Sequence, residues 1–225
     1  MVPHEKRGSA NLLYGHRWGG QDDTGKKLTI FLQDRGLPAV YVYARMQLLL
    51  AKPVVRLANR LLLKTHPSAE YSASTNEKKR LFAGHTVLRR IYQSLLLFDY
   101  LIQLLIKVKI PTLCGKLVVC DRYIYDTLIT DFAVDMNLSV DQIESLLDTC
   151  FAIVPQPNVN FLIDVSEEVA FERKDDHPSK KYLTDRRGIY QQIAKKHNMR
   201  VLNGNNDASQ VFSDCIDTLK QTLDF

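Results

Sequence analysis

The chain has 225 residues, enough for one large α/β domain with a sizeable core. A hydrophobic share of 45% with 24% charged residues is ordinary for a soluble globular protein. The net charge of +5 suits anionic small molecules as well as nucleic acid, but no dense Lys/Arg run interleaved with aromatics supports a nucleic-acid partner. Cys114, Cys120, Cys150 and Cys215 are scattered without CxxC spacing, which argues against a zinc site or redox motif and for reduced thiols in a cytosolic protein. No secretory signal pattern and no uninterrupted apolar run of membrane-spanning length is read. The expectation is a cytoplasmic protein without stable membrane insertion.

In chain order, Ala10 to Gly19 makes a poor buried strand, because His16, Arg17 and Trp18 occupy its expected end. Gly20 to Lys26 then matches GxxxxGK, whose glycines would turn backbone N–H groups toward phosphates while Lys26 reaches the β/γ oxygens. Lys27 stands where a magnesium-binding hydroxyl is expected. Helical patterns cover Thr24 to Asp34, Thr86 to Lys109, Val140 to Phe151, Glu167 to Lys174, Asp185 to His197 and Ala208 to Leu223. Strand patterns cover Ala39 to Tyr43, Leu117 to Asp121, Asn158 to Val165 and Met199 to Asn203. Ser139, Ser166 and Asp207 stand at N-cap positions. Met46 to Lys64 is apolar with basic interruptions and is broken by Pro53, which reads as a pair of helices beside a pocket, with a segment lying on a membrane surface as the alternative. Thr65 to Lys79 reads as a polar excursion. Strands spaced by helices imply right-handed crossovers and a mostly parallel sheet in a single domain, residues 1–225.

The most informative stretch is Lys116 to Asp126. Leu117 to Cys120 is a short apolar run suited to a buried parallel strand, and Asp121 and Arg122 stand where it ends. The carboxyl ends of parallel strands are where open α/β sheets bind ligands. An Asp there can hold hydrated magnesium, and an Arg can grip a phosphate with two hydrogen bonds.

The chain resembles the thymidylate kinase family of P-loop nucleoside-monophosphate kinases. The resemblance is carried by Gly36 to Arg45, Leu97-Phe98-Asp99, Gly115 to Tyr123, Asn160 to Arg173 and Arg186 to Ala194, and it covers nearly everything from Thr29 to the C-terminus. It implies a three-layer α/β fold with a five-stranded parallel sheet, helices on both faces, and a lid at 174–184. It also implies ATP and Mg2+ as cofactors, nucleotide substrates as partners, and a homodimer as a compatible assembly.

By the same resemblance, Arg122 contacts the acceptor phosphate, with Asp121 beside it near the magnesium ion. Arg45 corresponds to a substrate-phosphate arginine, followed here by Met46-Gln47 in place of Glu-Pro. Asp99 and Tyr100 fall at the nucleoside pocket, with Tyr100 in place of an arginine. Asp126 takes the place of a serine in the substrate site. Arg173 and Arg187 are implied as catalytic lid residues, and Arg186 joins Gly20, Gly25 and Lys26 in binding ATP. A solvated helix start is the alternative for Arg186 and Arg187.

The N-terminal misfit has a reading at the codon level. With synonymous codons chosen freely, Gly15 to Leu28 read one base downstream can give DTDGAGKTTLAKKL, a well-formed phosphate loop and helix start. Arg7 to Gly25 therefore reads as a frameshifted phosphate-loop region, with the loop lysine's slot at Gln21. Loss of the loop would remove the cradle for the β/γ-phosphates, and positioning is most of phosphoryl-transfer catalysis. The expected activity is transfer of the ATP γ-phosphoryl group to a deoxynucleoside monophosphate, thymidylate first. A non-catalytic nucleotide-binding relative and a deoxynucleoside kinase are the alternatives.

Overall fold

The computed structural model describes residues 13–17, 24–54, 56–57, 84–133, 136–173 and 180–223. The first strand, β1 (Leu13–Arg17), is followed by helix α1 (Thr24–Gln33) and strand β2 (Ala39–Tyr43). Helix α2 (Thr86–Leu104) runs on through a π-helical stretch, Leu105–Lys109, and a last turn, Ile110–Leu113. Strand β3 (Leu117–Asp121) leads into a helical turn, Ile124–Asp126, and a second π-helical stretch, Thr127–Ala133. Then come α3 (Val140–Phe151), β4 (Val159–Asp164), α4 (Glu167–Arg173), α5 (Lys180–Lys196), β5 (Arg200–Asn203) and α6 (Ala208–Leu223).

Local chemistry accounts for several of these bounds. Pro111 has no N–H and its ring crowds the carbonyl four residues back, and the π-helical stretch lies directly before it. Gly115 ends this helix with φ +75°, while its N–H and that of Lys116 bond back to the carbonyls of Thr112 and Pro111. Ser139 and Gln142 form a reciprocal capping box at the start of α3. At α6 the Asp207 carboxylate accepts from the Gln210 N–H at 2.8 Å. Helix α5 begins at Lys180, five residues before the start expected at Asp185. Lys180 to Thr184 contains no helix breaker, and the buried Leu183 anchors this first turn.

The strands alternate their side chains between two cores. Val118 and Cys120 of β3 and Leu162 of β4 join one core with Leu96, Tyr100 and Leu104 of α2, Ile143 and Leu147 of α3, and Tyr190 and Ile193 of α5. Leu117 and Val119 of β3 and Val159, Phe161 and Ile163 of β4 face the other core, with Leu28 and Leu32 of α1 and Val211, Cys215 and Leu219 of α6. Period-two alternation thus gives β3 and β4 an apolar face toward each helical layer. Each fully buried aliphatic side chain contributes about 1.5–3 kcal/mol.

The sheet itself corrects the expectation of a five-stranded parallel frame. The described residues are mostly helical (64%), and the strands with described packing form two short two-stranded parallel ladders, β2 with β3 and β4 with β5. Between them runs the backbone of β1, whose parallel pairings with β3 and β4 give the order β2-β3-β1-β4-β5. At this seam only the backbone pairing is described. The sequence explains the difference: Leu-Tyr-Gly-His-Arg puts a glycine and two polar residues where a central strand needs a continuous apolar run.

The helix from Thr86 to Leu113 is long and apolar enough to cross a membrane by length and composition alone. The sequence reading found no such run, because Arg89, Arg90 and Lys107 interrupt it. One side of this helix walls the first core, while Val87, Ile91, Phe98, Ile106, Ile110 and Leu113 are exposed. In Met46 to Lys64, residues 46–51 are non-helical and short helical turns occupy 52–54 and 56–57; residue 55, residues 58–64 and the Thr65 to Lys79 excursion lie outside the described residues.

Candidate functional site

Parallel register places the ends of β2 and β3 side by side, with Tyr43 opposite Asp121. The Ala44 N–H donates to the Asp121 carbonyl at 2.8 Å and extends the ladder by one bond. Arg45 and Arg122 therefore leave the sheet at one edge. Arg122 adopts φ +59°, a left-handed conformation uncommon for a residue with a side chain. Such outliers persist where their surroundings hold them and often mark functional sites.

The surroundings of Arg122 are a buried polar network. Its Nη1 donates to Oδ2 of Asp126 at 3.5 Å, and Asp126 is fully buried. Oδ1 of Asp126 accepts from the Tyr190 hydroxyl at 2.9 Å and the Thr130 hydroxyl at 3.4 Å. Nη2 of Arg186, itself buried, donates to the Thr130 carbonyl at 3.2 Å. Burial is the largest single influence and acts against the Arg122 charge, but Asp126, Tyr43, Tyr190 and Asp121 together outweigh it and the guanidinium is held more firmly protonated than usual. On the open side, Nη2 of Arg45 meets Oδ1 of Asp131 at 3.4 Å. Burial acts against Arg45 too, and Asp131 and Asp126 outweigh it. The Arg122 charge lies near enough to oppose that of Arg45, a smaller influence than either carboxylate.

Asp121 stands beside the start of α1. The Tyr41 hydroxyl donates to its Oδ2 at 3.1 Å. A Cβ on Gly25 would lie 3.0 Å from the Tyr41 ring and 3.8 Å from Cβ of Asp121, so glycine lets the first turn of α1 close onto this strand end. Lys26 is exposed one residue further on, whereas Gly20 lies outside the described residues. Among the described residues no group of three or more His, Cys, Asp or Glu could hold a metal ion. A single carboxylate at this place fits magnesium arriving with nucleotide phosphates rather than a metal held by protein ligands alone.

Other residues singled out by sequence are engaged elsewhere. Asp99 is almost completely buried and accepts from the N–H groups of Leu49 and Ala51, each at 2.9 Å, and from Gln103 at 3.2 Å. Burial works against its charge, but these donors and the Leu50 N–H prevail and hold the carboxyl below the ordinary aspartate range. The buried Tyr100 donates its hydroxyl to the Ala44 carbonyl at 2.8 Å. Both side chains thus brace the chain behind Arg45 with their polar atoms turned to backbone.

Arg187 and Arg173 fasten the other half of the edge. Arg187 grips both Asp164 oxygens, at 2.7 and 2.9 Å, and Glu167 at 2.7 Å. The hydrogen bonding that Arg187 donates to Asp164 is the leading cause of its raised pKa. Arg173 donates to the carbonyls of Gly204 at 2.8 Å and Asn205 at 3.1 Å. Of the expected lid, residues 174–179 lie outside the described residues and 180–184 form the first turn of α5.

The structure therefore brings together Arg45, Asp121, Arg122 and Asp126, with Arg186 in the wall behind and Gly25 and Lys26 at the adjoining helix start. Sequence reasoning missed Asp131, Thr130, Tyr190 and Tyr41. Arg122, Asp126 and Thr130 do recur at four-residue spacing, a visible signal. Asp131 follows Asp126 by five residues, and it faces the cleft from a π-helical stretch that a 3.6-residue period does not anticipate. No protein-family model matches the chain, and no curated protein is significantly similar to it.

Proposed function

We propose that the protein is a nucleoside-monophosphate kinase that moves the γ-phosphoryl group of ATP to a deoxynucleoside monophosphate, thymidylate first, giving the diphosphate and ADP. The observation that carries this reading is the convergence of Arg45 and Arg122 with Asp121 at one strand edge, next to the start of α1. Guanidiniums suit phosphate oxygens, and a helix start with a lone carboxylate suits a magnesium–nucleotide. Arg122 and Arg45 bind the acceptor phosphate, and Asp121 would hold a magnesium ion, which would draw charge from the transferring group. An acceptor phosphate oxygen attacks the γ-phosphorus as the bond to the β-phosphate oxygen breaks. A cytoplasmic location and a homodimer belong to the same reading.

The second reading is a non-catalytic nucleotide-binding relative. It is favoured by Arg187 and Arg173, whose guanidiniums are held by Asp164, Glu167 and backbone carbonyls. A deoxynucleoside kinase is the alternative among enzymes. The frameshift reading of residues 7–25 joins the two main possibilities, because the restored loop would supply the phosphate cradle.

The test is ATP turnover with thymidylate, comparing the chain as it stands with a version carrying the restored loop. The kinase reading expects weak activity in the first and activity on the order of a hundredfold higher in the second. No turnover in the restored version would leave the non-catalytic reading. Equal, robust activity in both would show that Gly20 to Lys27 is itself a working phosphate loop.

A further inference from the structure

Each guanidinium of the cleft already faces a carboxylate. Arg122 meets Asp126 at 3.5 Å and Arg45 meets Asp131 at 3.4 Å, both through one nitrogen and one oxygen. Asp121 adds a third carboxylate at the same edge. An incoming phosphate therefore meets Arg45 and Arg122 already faced by three carboxylates, with Arg186 in the wall behind and Lys26 exposed on the adjoining helix start, a weaker positive field than the two guanidiniums alone would offer a dianion. The contacts are also long for charge-assisted hydrogen bonds, which run at about 2.7–2.9 Å. A guanidinium so held keeps donors that a phosphate oxygen can take. Asp126 cannot turn out to solvent, because it is fully buried and accepts from Tyr190 and Thr130. Asp131, a quarter exposed, is less confined.

We propose that Asp126 and Asp131 are specificity-determining residues: as resident counter-ions of Arg122 and Arg45 they keep the cleft near electroneutrality and weaken its grip on a dianionic phosphate. The proposal rests on the reading of Arg122 as the acceptor-phosphate residue. It gives the two carboxylates a defined sign of action. A contact that merely stabilised the fold would, when removed, leave phosphate affinity unchanged or lower it. A counter-ion removed by an isosteric amide raises it, because the guanidinium stays while the opposing charge goes. The buried partner has the larger influence, since solvent screens the exposed one.

The probe is inorganic phosphate, titrated by calorimetry or phosphorus NMR into the full chain at low ionic strength. Asp126→Asn is expected to raise the affinity on the order of tenfold and Asp131→Asn by roughly threefold, each gain disappearing when Arg122→Ala or Arg45→Ala, respectively, is added. If Asp126→Asn folds poorly, Asp131→Asn carries the test, since its side chain is partly solvated. Phosphate affinity at or below the parent's in the folded Asn variants, or no detectable binding in either, overturns the proposal. If Arg122→Ala alone leaves phosphate binding intact, the reading of Arg122 itself fails. If Arg122→Ala weakens binding while the Asn variants gain nothing, only the counter-ion proposal fails.

Discussion

Arginines stand at two places along the same sheet edge and are held in opposite ways. Beside β4, Arg187 grips Asp164 through two bonds of 2.7 and 2.9 Å and Glu167 through a third of 2.7 Å. Beside β3, Arg122 meets Asp126 through one contact of 3.5 Å, and Arg45 meets Asp131 through one of 3.4 Å. A bidentate pair at short distance is saturated and geometrically fixed. A single long contact leaves most of the guanidinium fork available. Residue type and sheet edge alone therefore do not mark a binding arginine; the completeness of its existing partnership does. On this criterion the β3 side is the proposed binding half and the β4 side is the fastening half.

The comparison can be sharpened first on the fastening half. Arg187→Ala removes three charge-assisted bonds linking β4, α4 and α5, and leaves Asp164 and Glu167 without that cation. The expected loss is about 2–3 kcal/mol, a fall in Tm of roughly 4–12 °C. A thermal melt checks it, and an unchanged Tm would mean that the pair is no stronger than an ordinary surface contact.

Asp99→Asn sits behind the binding half and acts through pH. The folded carboxyl lies below its unfolded value near 3.9, so its contribution is complete above that value and disappears as pH falls through the folded pKa. The variant is expected to be less stable than the parent by about 1–3 kcal/mol at neutral pH. The gap should close as pH falls below about 4. Melts of both proteins from pH 7 downward measure this, and a gap independent of pH would show that the backbone N–H groups at 49–51 do not depend on the Asp99 charge.

The smallest effect belongs to neither half. Ser139→Ala removes one bond of the capping box at α3 and should cost about 1 kcal/mol. It should leave phosphate binding unchanged. A change in affinity would show that α3 is coupled to the cleft.

The strand and helix positions were largely legible, because period-two and period-3.6 patterns reflect burial directly. β3 reads as Leu-Val-Val-Cys-Asp, and its alternate residues do enter two separate cores. The ladder-like division of the sheet was less legible. The five-stranded expectation came from the resemblance, whereas His16 and Arg17 at the seam mark the N-terminal strand as a poor buried one in the sequence itself. In the site, Asp121, Arg122 and Arg45 could be grouped because parallel strands deliver their ends to one edge. Asp99 could not be assigned from sequence, since a lone Asp on an apolar helix does not reveal that backbone N–H groups from residues 49 to 51 will cap it. Asp131 escaped because π-helical geometry changes which spacing shares a face. Arg173 and Arg187 were grouped with the cleft by resemblance, and only their partners distinguish fastening from binding.

The most direct measurement of the central claim compares Arg122→Ala with Arg187→Ala in binding thymidine monophosphate, at a temperature where both variants and the parent are folded. A displaceable guanidinium at Arg122 predicts at least about a tenfold loss of affinity in the first variant, equivalent to about 1.4 kcal/mol, and little change in the second. Parent-like binding by Arg122→Ala together with a large loss in Arg187→Ala would contradict the account and move the ligand site to the β4 half of the edge.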